Sequence, residues 1–190
     1  MKKNGFTMVE LLATIVILGI LMIFALPAMV GMLSKNRSKI YTNDAKEFIS
    51  LVEYQLRSKS AYMQKPAPGD CIIIGLSFLD DDEFGSPPNG GVYSTDHSFV
   101  VVRNHENGKL EYSVSLIEKV KGGGYTGLGL TLDADLITGE AVRKVTSYSE
   151  DQLLSITKGV TKNDINLILG DNYIEGSVSK VYSDSNVYGN

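Results

Sequence analysis

Cysteine and tryptophan are nearly missing from this chain: it has one cysteine, Cys71, and no tryptophan. One cysteine cannot form an intramolecular disulfide, and the paired-cysteine spacings of zinc sites are absent. The folded part must therefore depend on its apolar core. Cys71 itself is expected to be a small, buried apolar side chain.

Positive charge is also scarce. Lys and Arg number 18 against 22 Asp and Glu, which gives a net charge of −4. Proteins that bind nucleic acid usually carry a basic face or stripe. Direct binding of nucleic acid is therefore not expected.

Catalytic and cofactor-binding patterns are lacking as well. His97 and His105 flank a predicted strand without a nucleophile or paired carboxylate beside them, which predicts exposed turn or edge histidines. The glycine-rich run 122–129 lacks the Gly-Lys-Ser/Thr ending of a phosphate-binding loop and predicts a flexible loop. The sequence indicates neither an enzyme nor a cofactor site.

Two acidic clusters raise the question of calcium. Calcium ligands converge from spaced positions, whereas the four acids from Asp80 to Glu83 are adjacent. Asp133 and Asp135 alternate, but the glycine and distal glutamate of a calcium loop do not follow. A solvated loop is the prediction for residues 80–83 and no metal site is expected, although calcium there stays an open alternative.

The first part of the chain is the most distinctive. From Phe6 to Leu33 there is a single charge, Glu10. As a helix rising about 1.5 Å per residue, this stretch spans roughly 42 Å, enough to cross a bilayer. Lysine or arginine lies on both sides of it, so charge alone does not set its orientation. A cleavable signal peptide is the alternative, with Leu26-Pro27-Ala28 as the nearest approximation to a cleavage site.

The start of this stretch reads Lys2-Lys3-Asn4-Gly5-Phe6-Thr7-Met8-Val9-Glu10-Leu11-Leu12. A short basic leader ends in glycine, and Phe-Thr-x-x-Glu-Leu and a long apolar run follow. This pattern resembles the prepilin leader of type IV pilins and pseudopilins. The resemblance covers about the first 60 residues, and Gly19 and Pro27 lie where the family carries residues that kink the helix.

The resemblance implies how the chain is processed. A prepilin peptidase would cut the Gly5–Phe6 bond on the cytoplasmic side, and the new amino group of Phe6 would be methylated. Gly5 has no side chain, so the peptidase can approach its backbone closely. The N-terminus would then lie in the cytoplasm and the soluble domain outside the membrane.

Glu10 is the unusual residue of the apolar stretch, because a carboxylate within a membrane costs free energy and usually finds a partner. In the family that partner is the N-terminal amine of a neighbouring subunit, here Phe6, which makes Glu10→Ala a predicted assembly variant. The alternative is that Glu10 lies at headgroup depth, favoured by the helix dipole.

The helix is predicted to continue as an amphipathic segment. Tyr41, Ala45, Phe48, Val52 and Leu56 recur at helical spacing, and Ile49 widens the stripe. The opposite, solvated face carries Lys39, Asp44, Lys46, Glu47 and Arg57, and the segment 65–69 ends the helix. The predicted organisation is a leader at 1–5, a transmembrane and polymerisation half at 6–33, an amphipathic half at 34–64 and a soluble domain at 65–190.

The soluble domain shows short strand-like runs. Strands are predicted at Cys71–Leu76, at Ser98–Arg103 and Leu110–Ile117 around an Asn107-Gly108 turn, and at Ala141–Val145. Short helices are predicted after Ser149 and after Thr161, the second ending at Gly170, and the last fifteen or so residues suggest a weak strand or loose tail. The expected fold is α+β: a long N-terminal helix whose second half packs on a small antiparallel sheet.

The expected function is a structural subunit of a type IV pilus-like filament, a pilin or minor pilin. The alternatives are a pseudopilin of a type II secretion or competence DNA-uptake machine and a signal-anchored extracellular binding domain. The expected partners are a prepilin peptidase, other pilin subunits, the inner or cytoplasmic membrane and the assembly platform. The expected location is a single-pass membrane protein with its N-terminus in the cytoplasm, and then a surface filament.

Overall fold

A computed structural model describes residues 6–58, 63–79, 84–131 and 145–183. By contacts the chain divides into two compact units, residues 1–37 and residues 38–190. The described part of the first unit, residues 6–37, is almost entirely the apolar part of a helix. The second contains a β-sheet with both of its faces covered.

Helix α1 runs from Met8 to Ser58, a length of 51 residues. The helix continues through Gly19 and Pro27, although proline has no N–H and leaves the carbonyl four residues earlier without its helical partner. Met63 and Gln64 lie outside the helix, so the predicted amphipathic half, 34–64, extends beyond the end of the helix. Residues 59–62 fall outside the described ranges.

The amphipathic part of α1 belongs to the second unit. All six residues of the predicted stripe are buried, which confirms the period-3.6 pattern. On the opposite face the predicted charged residues are exposed except Asp44. Asp44 is half-buried, and the hydroxyl of Tyr93 donates a hydrogen bond to its carboxylate. Burial raises the pKa of Asp44, an effect that the tyrosine bond partly offsets.

The described residues form seven strands in one sheet, in the order β6-β5-β4-β3-β1-β7, with β2 paired to β4. The strands are β1 (Cys71–Gly75), β2 (Val92–Tyr93), β3 (Phe99–Asn104), β4 (Leu110–Lys119), β5 (Tyr125–Thr131), β6 (Thr146–Tyr148) and β7 (Val178–Tyr182). Neighbouring strands are antiparallel except β1 and β7, which are parallel. The predicted antiparallel sheet is thus confirmed apart from this edge pair.

The β3–β4 hairpin is confirmed where the sequence placed it. Gly108 adopts a positive φ of 79°, as the predicted Asn-Gly turn requires. The N–H of His105 donates to the carbonyl of Lys109 at 2.9 Å, and the side chain of Asn107 accepts from the N–H of Lys109 at 2.9 Å. These short-range bonds fix the register of the two strands.

The sheet is buried on both faces. Successive residues of β1 and β3 point to opposite faces and so enter two different clusters. Ile72, Ile74, Val100 and Val102 pack in one core cluster with the buried stripe of α1. Cys71, Ile73, Phe99 and Val101 pack in a second cluster. Ile165 of helix α2 (Lys162–Leu169) lies in that second cluster.

The predictions for two further segments of this unit need correction. The glycine-rich run 122–129 is not a loop throughout, since Tyr125–Thr131 is strand β5. A Cβ at Gly127 would lie 2.2 Å from the carbonyl oxygen of Leu116, so glycine lets β5 approach β4. The helix predicted after Ser149 is a single 3-10 turn, Glu150–Gln152.

Helix α2 confirms the other short helix. The Thr161 hydroxyl accepts from the N–H of Asp164 at 3.3 Å, and the Asp164 carboxylate accepts from the N–H of Thr161 at 2.8 Å. Gly170 follows the last helical residue, as predicted. The strand predicted at Ala141–Val145 lies outside the described residues except for Val145, which is not in a strand.

Candidate assembly site at the N-terminal helix

Helix α1 begins with a reciprocal pair of side chains, Thr7 and Glu10. The backbone N–H and the hydroxyl of Thr7 donate to Oε2 of Glu10, at 2.9 Å and 2.8 Å. The hydroxyl oxygen of Thr7 in turn accepts from the N–H of Glu10, at 3.3 Å. This is a capping box, which satisfies backbone donors that the first turn of a helix leaves free.

The box holds the carboxylate of Glu10 in one place at the start of the helix. Both bonds from Thr7 end on Oε2, and within the described residues 6–58 no hydrogen bond reaches Oε1. The positive end of the helix dipole also favours a negative charge here. Glu10 thus has a partner within its own chain, and one of its oxygens is available for another donor.

Glu10 was expected to find its partner in a neighbouring subunit, whereas Thr7 of the same chain also binds it. The spacing Thr7-x-x-Glu10 before an apolar run is itself a capping-box signal, so the sequence contained the information. Phe6 is 80% exposed beside this pair. Gly5, the other half of the predicted cleavage site, lies outside the described residues.

The helix that follows is apolar and uncovered. Helix α1 is long and apolar enough to cross a membrane, and no residue of its most apolar stretch is buried. Every residue from Phe6 to Arg37 is exposed. A Cβ added at Gly19 or Gly31 would meet no atom within 4 Å. This surface fits a membrane anchor, because in water such an apolar cylinder would be left unburied.

His97 is buried, whereas the sequence predicted an exposed turn or edge histidine. It is 2% exposed, and its Nδ1 lies 2.9 Å from the carbonyl oxygen of Leu154, to which it donates. Its ring packs edge-on against Tyr125 at 5.1 Å between centroids. The neighbouring Asp96 carboxylate accepts from Ser155 and Thr157. These contacts join two loops and explain why His97 is buried.

His105 and Cys71 also have structural surroundings. His105 lies in the β3–β4 turn, and its Nε2 is 2.5 Å from the Glu111 carboxylate. Cys71 is fully buried, as predicted. Burial, with a smaller effect of the Asp70 carboxylate, raises the pKa of Cys71 to about 12. A neutral thiol of this kind is a poor nucleophile.

Metal-binding geometry is not found in the part of the chain that the structure describes, where no three or more His, Cys, Asp or Glu side chains converge. The acidic residues at 80–83, and Asp133 with Asp135, lie outside that part. The open question of calcium at residues 80–83 therefore stays a question about the sequence.

Comparison with known protein families gives a match to the N-terminal segment. Residues 1–26 match the sequence model of a family described as the prokaryotic N-terminal methylation motif. No curated protein and no solved structure matches the chain. The matched residues include the Thr7–Glu10 capping box and the first part of the uncovered apolar helix. The N-terminal segment of this protein thus carries the signature of type IV pilin and pseudopilin precursors.

Proposed function

We propose that this protein is a structural subunit of a type IV pilus-like filament, a pilin or minor pilin, rather than an enzyme. The main support is that the methylation motif at residues 1–26 includes the start of a long apolar helix. This helix has no buried residue before Ser38. A helix of this kind needs a lipid bilayer or other helices around it. Its second half is buried against a sheet, as a subunit that joins a folded domain to a polymerising segment requires.

Processing is the first step of the proposal. A prepilin peptidase cuts the bond between Gly5 and Phe6, and the new amine of Phe6 is methylated. Before cleavage the subunit crosses the cytoplasmic membrane once, with its N-terminus inside and residues 38–190 outside. The capping box supports this order of events, since the helix begins at Met8 and the scissile bond precedes it.

Glu10 carries the second step, assembly. Oε1 of Glu10 accepts a hydrogen bond from the positively charged amine of Phe6 in a neighbouring subunit. Oε2 keeps its bonds to Thr7. In an apolar surrounding such a pair is costly to break, because removing one partner leaves the other charge buried without compensation. The pair would set the axial register of neighbouring helices. Gly19 and Pro27 provide positions at which the helix can bend as it leaves the bilayer.

A pseudopilin of a type II secretion or DNA-uptake machine is the alternative within the same class, because it needs the same N-terminal segment. The two are distinguished by the phenotype of a deletion strain. Loss of surface filaments supports a pilin, whereas loss of secretion or of DNA uptake with filaments intact supports a pseudopilin.

The test of the proposal is mass spectrometry of the protein isolated from its native membrane. We expect a chain that begins at N-methylated Phe6. A strain without prepilin peptidase is the matched control, and there the same protein should retain residues 1–5. A chain that keeps its leader in the presence of the peptidase, or that begins beyond Pro27, would show that the segment is a plain anchor or a signal peptide.

A further inference from the structure

A buried carboxylate lies between α1 and the sheet. Glu118 of β4 has none of its surface exposed. The hydroxyl of Tyr41 and the side-chain amide of Asn89 donate to its Oε2, the amide at 2.9 Å. The N–H of Gly91 donates to Oε1 at 2.9 Å. The amide of Asn89 also donates to the hydroxyl oxygen of Tyr41 at 3.0 Å. These four residues are called the Glu118 clamp below.

The hydrogen-bond donors of the clamp suit a negatively charged Glu118 carboxylate. Each of the three partners donates to the carboxylate, and among the described ion pairs none involves Glu118. A buried charge is tolerated when hydrogen bonds replace those it made with water. The close approach of Gly91 is needed for this, because a Cβ there would lie 2.1 Å from the carbonyl oxygen of Lys119. A neutral amide in place of Glu118 would turn an NH₂ group towards other donors.

The clamp holds the first buried turn of α1. Along the described helix, burial begins at Ser38 and continues at Tyr41 and Thr42. The clamp joins this turn to strand β4 and to the loop that carries Asn89 and Gly91. From the same loop region the ring of Phe84 packs on Phe48 at 5.7 Å between centroids.

Apolar packing alone does not set the position of a helix uniquely. The stripe of α1 packs against apolar side chains of the sheet, and the hydrophobic effect that buries both has no preferred direction. Directional bonds to one carboxylate are lost when the helix turns or slides. Buried polar groups fix register in this way in some proteins.

We propose that the Glu118 clamp fixes the rotation and axial position of residues 38–48 of α1 on the sheet. When the clamp is broken, this part of the helix separates locally from the sheet while residues 49–58 stay packed. The inference concerns residues 38–190 alone and does not depend on the function proposed for the N-terminal segment.

Hydrogen exchange of the full chain in detergent micelles, followed by mass spectrometry, tests the proposal. Tyr41→Phe keeps the buried ring and removes one donor. We expect peptides within residues 38–48 to exchange at least about tenfold faster, as expected for the loss of a hydrogen bond to a charged group. Peptides within 49–58 should change much less. Glu118→Gln should have an equal or larger effect, since every partner loses its acceptor charge.

Tyr173→Phe is the matched control. It removes a buried tyrosine hydroxyl that lies 2.6 Å from the hydroxyl of Ser113, a neutral partner. The ring of Tyr173 lies in the second core cluster, away from α1. This variant should leave exchange in residues 38–48 unchanged.

Two kinds of result would overturn the proposal. One is unchanged exchange of residues 38–48 in Tyr41→Phe. The other is an equal acceleration along all of residues 38–58, or the same acceleration in Tyr173→Phe, which would indicate a general loss of stability. If Glu118→Gln does not fold, Asn89→Ala replaces it. The proposal then requires Asn89→Ala and Tyr41→Phe to affect the same peptides, with a double variant less than additive.

Discussion

Single residues at the start of α1 have separable roles. Glu10 supplies a charge, and Thr7 supplies the donors that hold it. Glutamine also suits the third helical position of a capping box, so Glu10→Gln removes the charge and keeps the helix start.

For Glu10→Gln we expect normal cleavage and methylation with filament yield reduced by more than about tenfold, because an amine buried without its partner is strongly unfavourable. The measurement is the amount of sheared surface filament per processed subunit. Thr7→Ser, which keeps both donors, is the control and should assemble like the natural chain. Normal filament yield from Glu10→Gln would show that the proposed charge pair is not needed.

Cys71 allows a second prediction at this scale. Burial raises the pKa of its thiol from 9.0 to about 12. In the unfolded chain the thiol ionises near its ordinary pKa, whereas the folded protein keeps it neutral. The free energy of unfolding should therefore be independent of this group below about pH 8 and fall as pH rises through 9 towards 12.

The measurement is urea unfolding of the full chain between pH 8 and pH 10, compared with Cys71→Ala. Burial also raises the pKa of Tyr41, Tyr93 and Tyr173, so both proteins should lose stability as the tyrosines of the unfolded chain ionise. The loss that begins near pH 9 should be smaller in Cys71→Ala. Identical pH profiles would show that the thiol is not protected by the fold.

Among the elements, the buried part of α1 holds one side of the core. Phe48 is fully buried, whereas Tyr54 on the same helix is 65% exposed. Phe48→Ala should lower the free energy of unfolding by about 3 to 5 kcal/mol, because it leaves a cavity between helix and sheet. Tyr54→Ala is the control and should change it by less than about 0.5 kcal/mol. Thermal unfolding measures both, and equal effects would contradict the packing described here.

Helix α2 depends on its N-cap. Thr161→Ala removes the hydroxyl that accepts from the N–H of Asp164, and we expect a loss of about 1 kcal/mol in the free energy of unfolding. Thr161→Ser retains the acceptor and should lose much less. Urea unfolding compares the two, and a similar loss in both would show that the methyl group matters rather than the cap.

The sequence predicted best those elements whose signal is local. The stripe from Tyr41 to Leu56 was correct because burial on one face of a helix must repeat every 3.6 residues. The β3–β4 hairpin was correct because Asn107-Gly108 favours the turn conformation itself. Both patterns can be recognised without knowing what the element packs against.

The predictions were wrong where the structure of a residue depends on contacts with residues far away in the sequence. Gly127 and Gly129 suggested a loop, but their lack of side chains lets β5 lie against Leu116 and Tyr148. His97 suggested an exposed turn, but its partner Leu154 is far along the chain. The Glu118 clamp likewise joins residues up to 77 positions apart. Such pairs leave no periodic trace in a single sequence.

For the whole molecule, all residues of both core clusters come from the second unit. Removal of residues 1–37 takes away no described buried side chain, because every residue from Phe6 to Arg37 is exposed. We expect a chain of residues 38–190 to be soluble without detergent and to unfold cooperatively. Circular dichroism during heating is the measurement, with the full chain in detergent as the reference. A non-cooperative transition would show that the first unit contributes to folding.

The parallel pairing of β1 with β7 has a consequence for biosynthesis. Cys71 pairs with Val178, so the ribosome must add about a hundred residues after β1 before its partner exists. During that interval the edge of β1 that β7 will cover has no strand beside it, and unpaired edges favour association between chains. During synthesis this edge of β1 therefore stays open to association with other chains until β7, the last of the described strands, has been made.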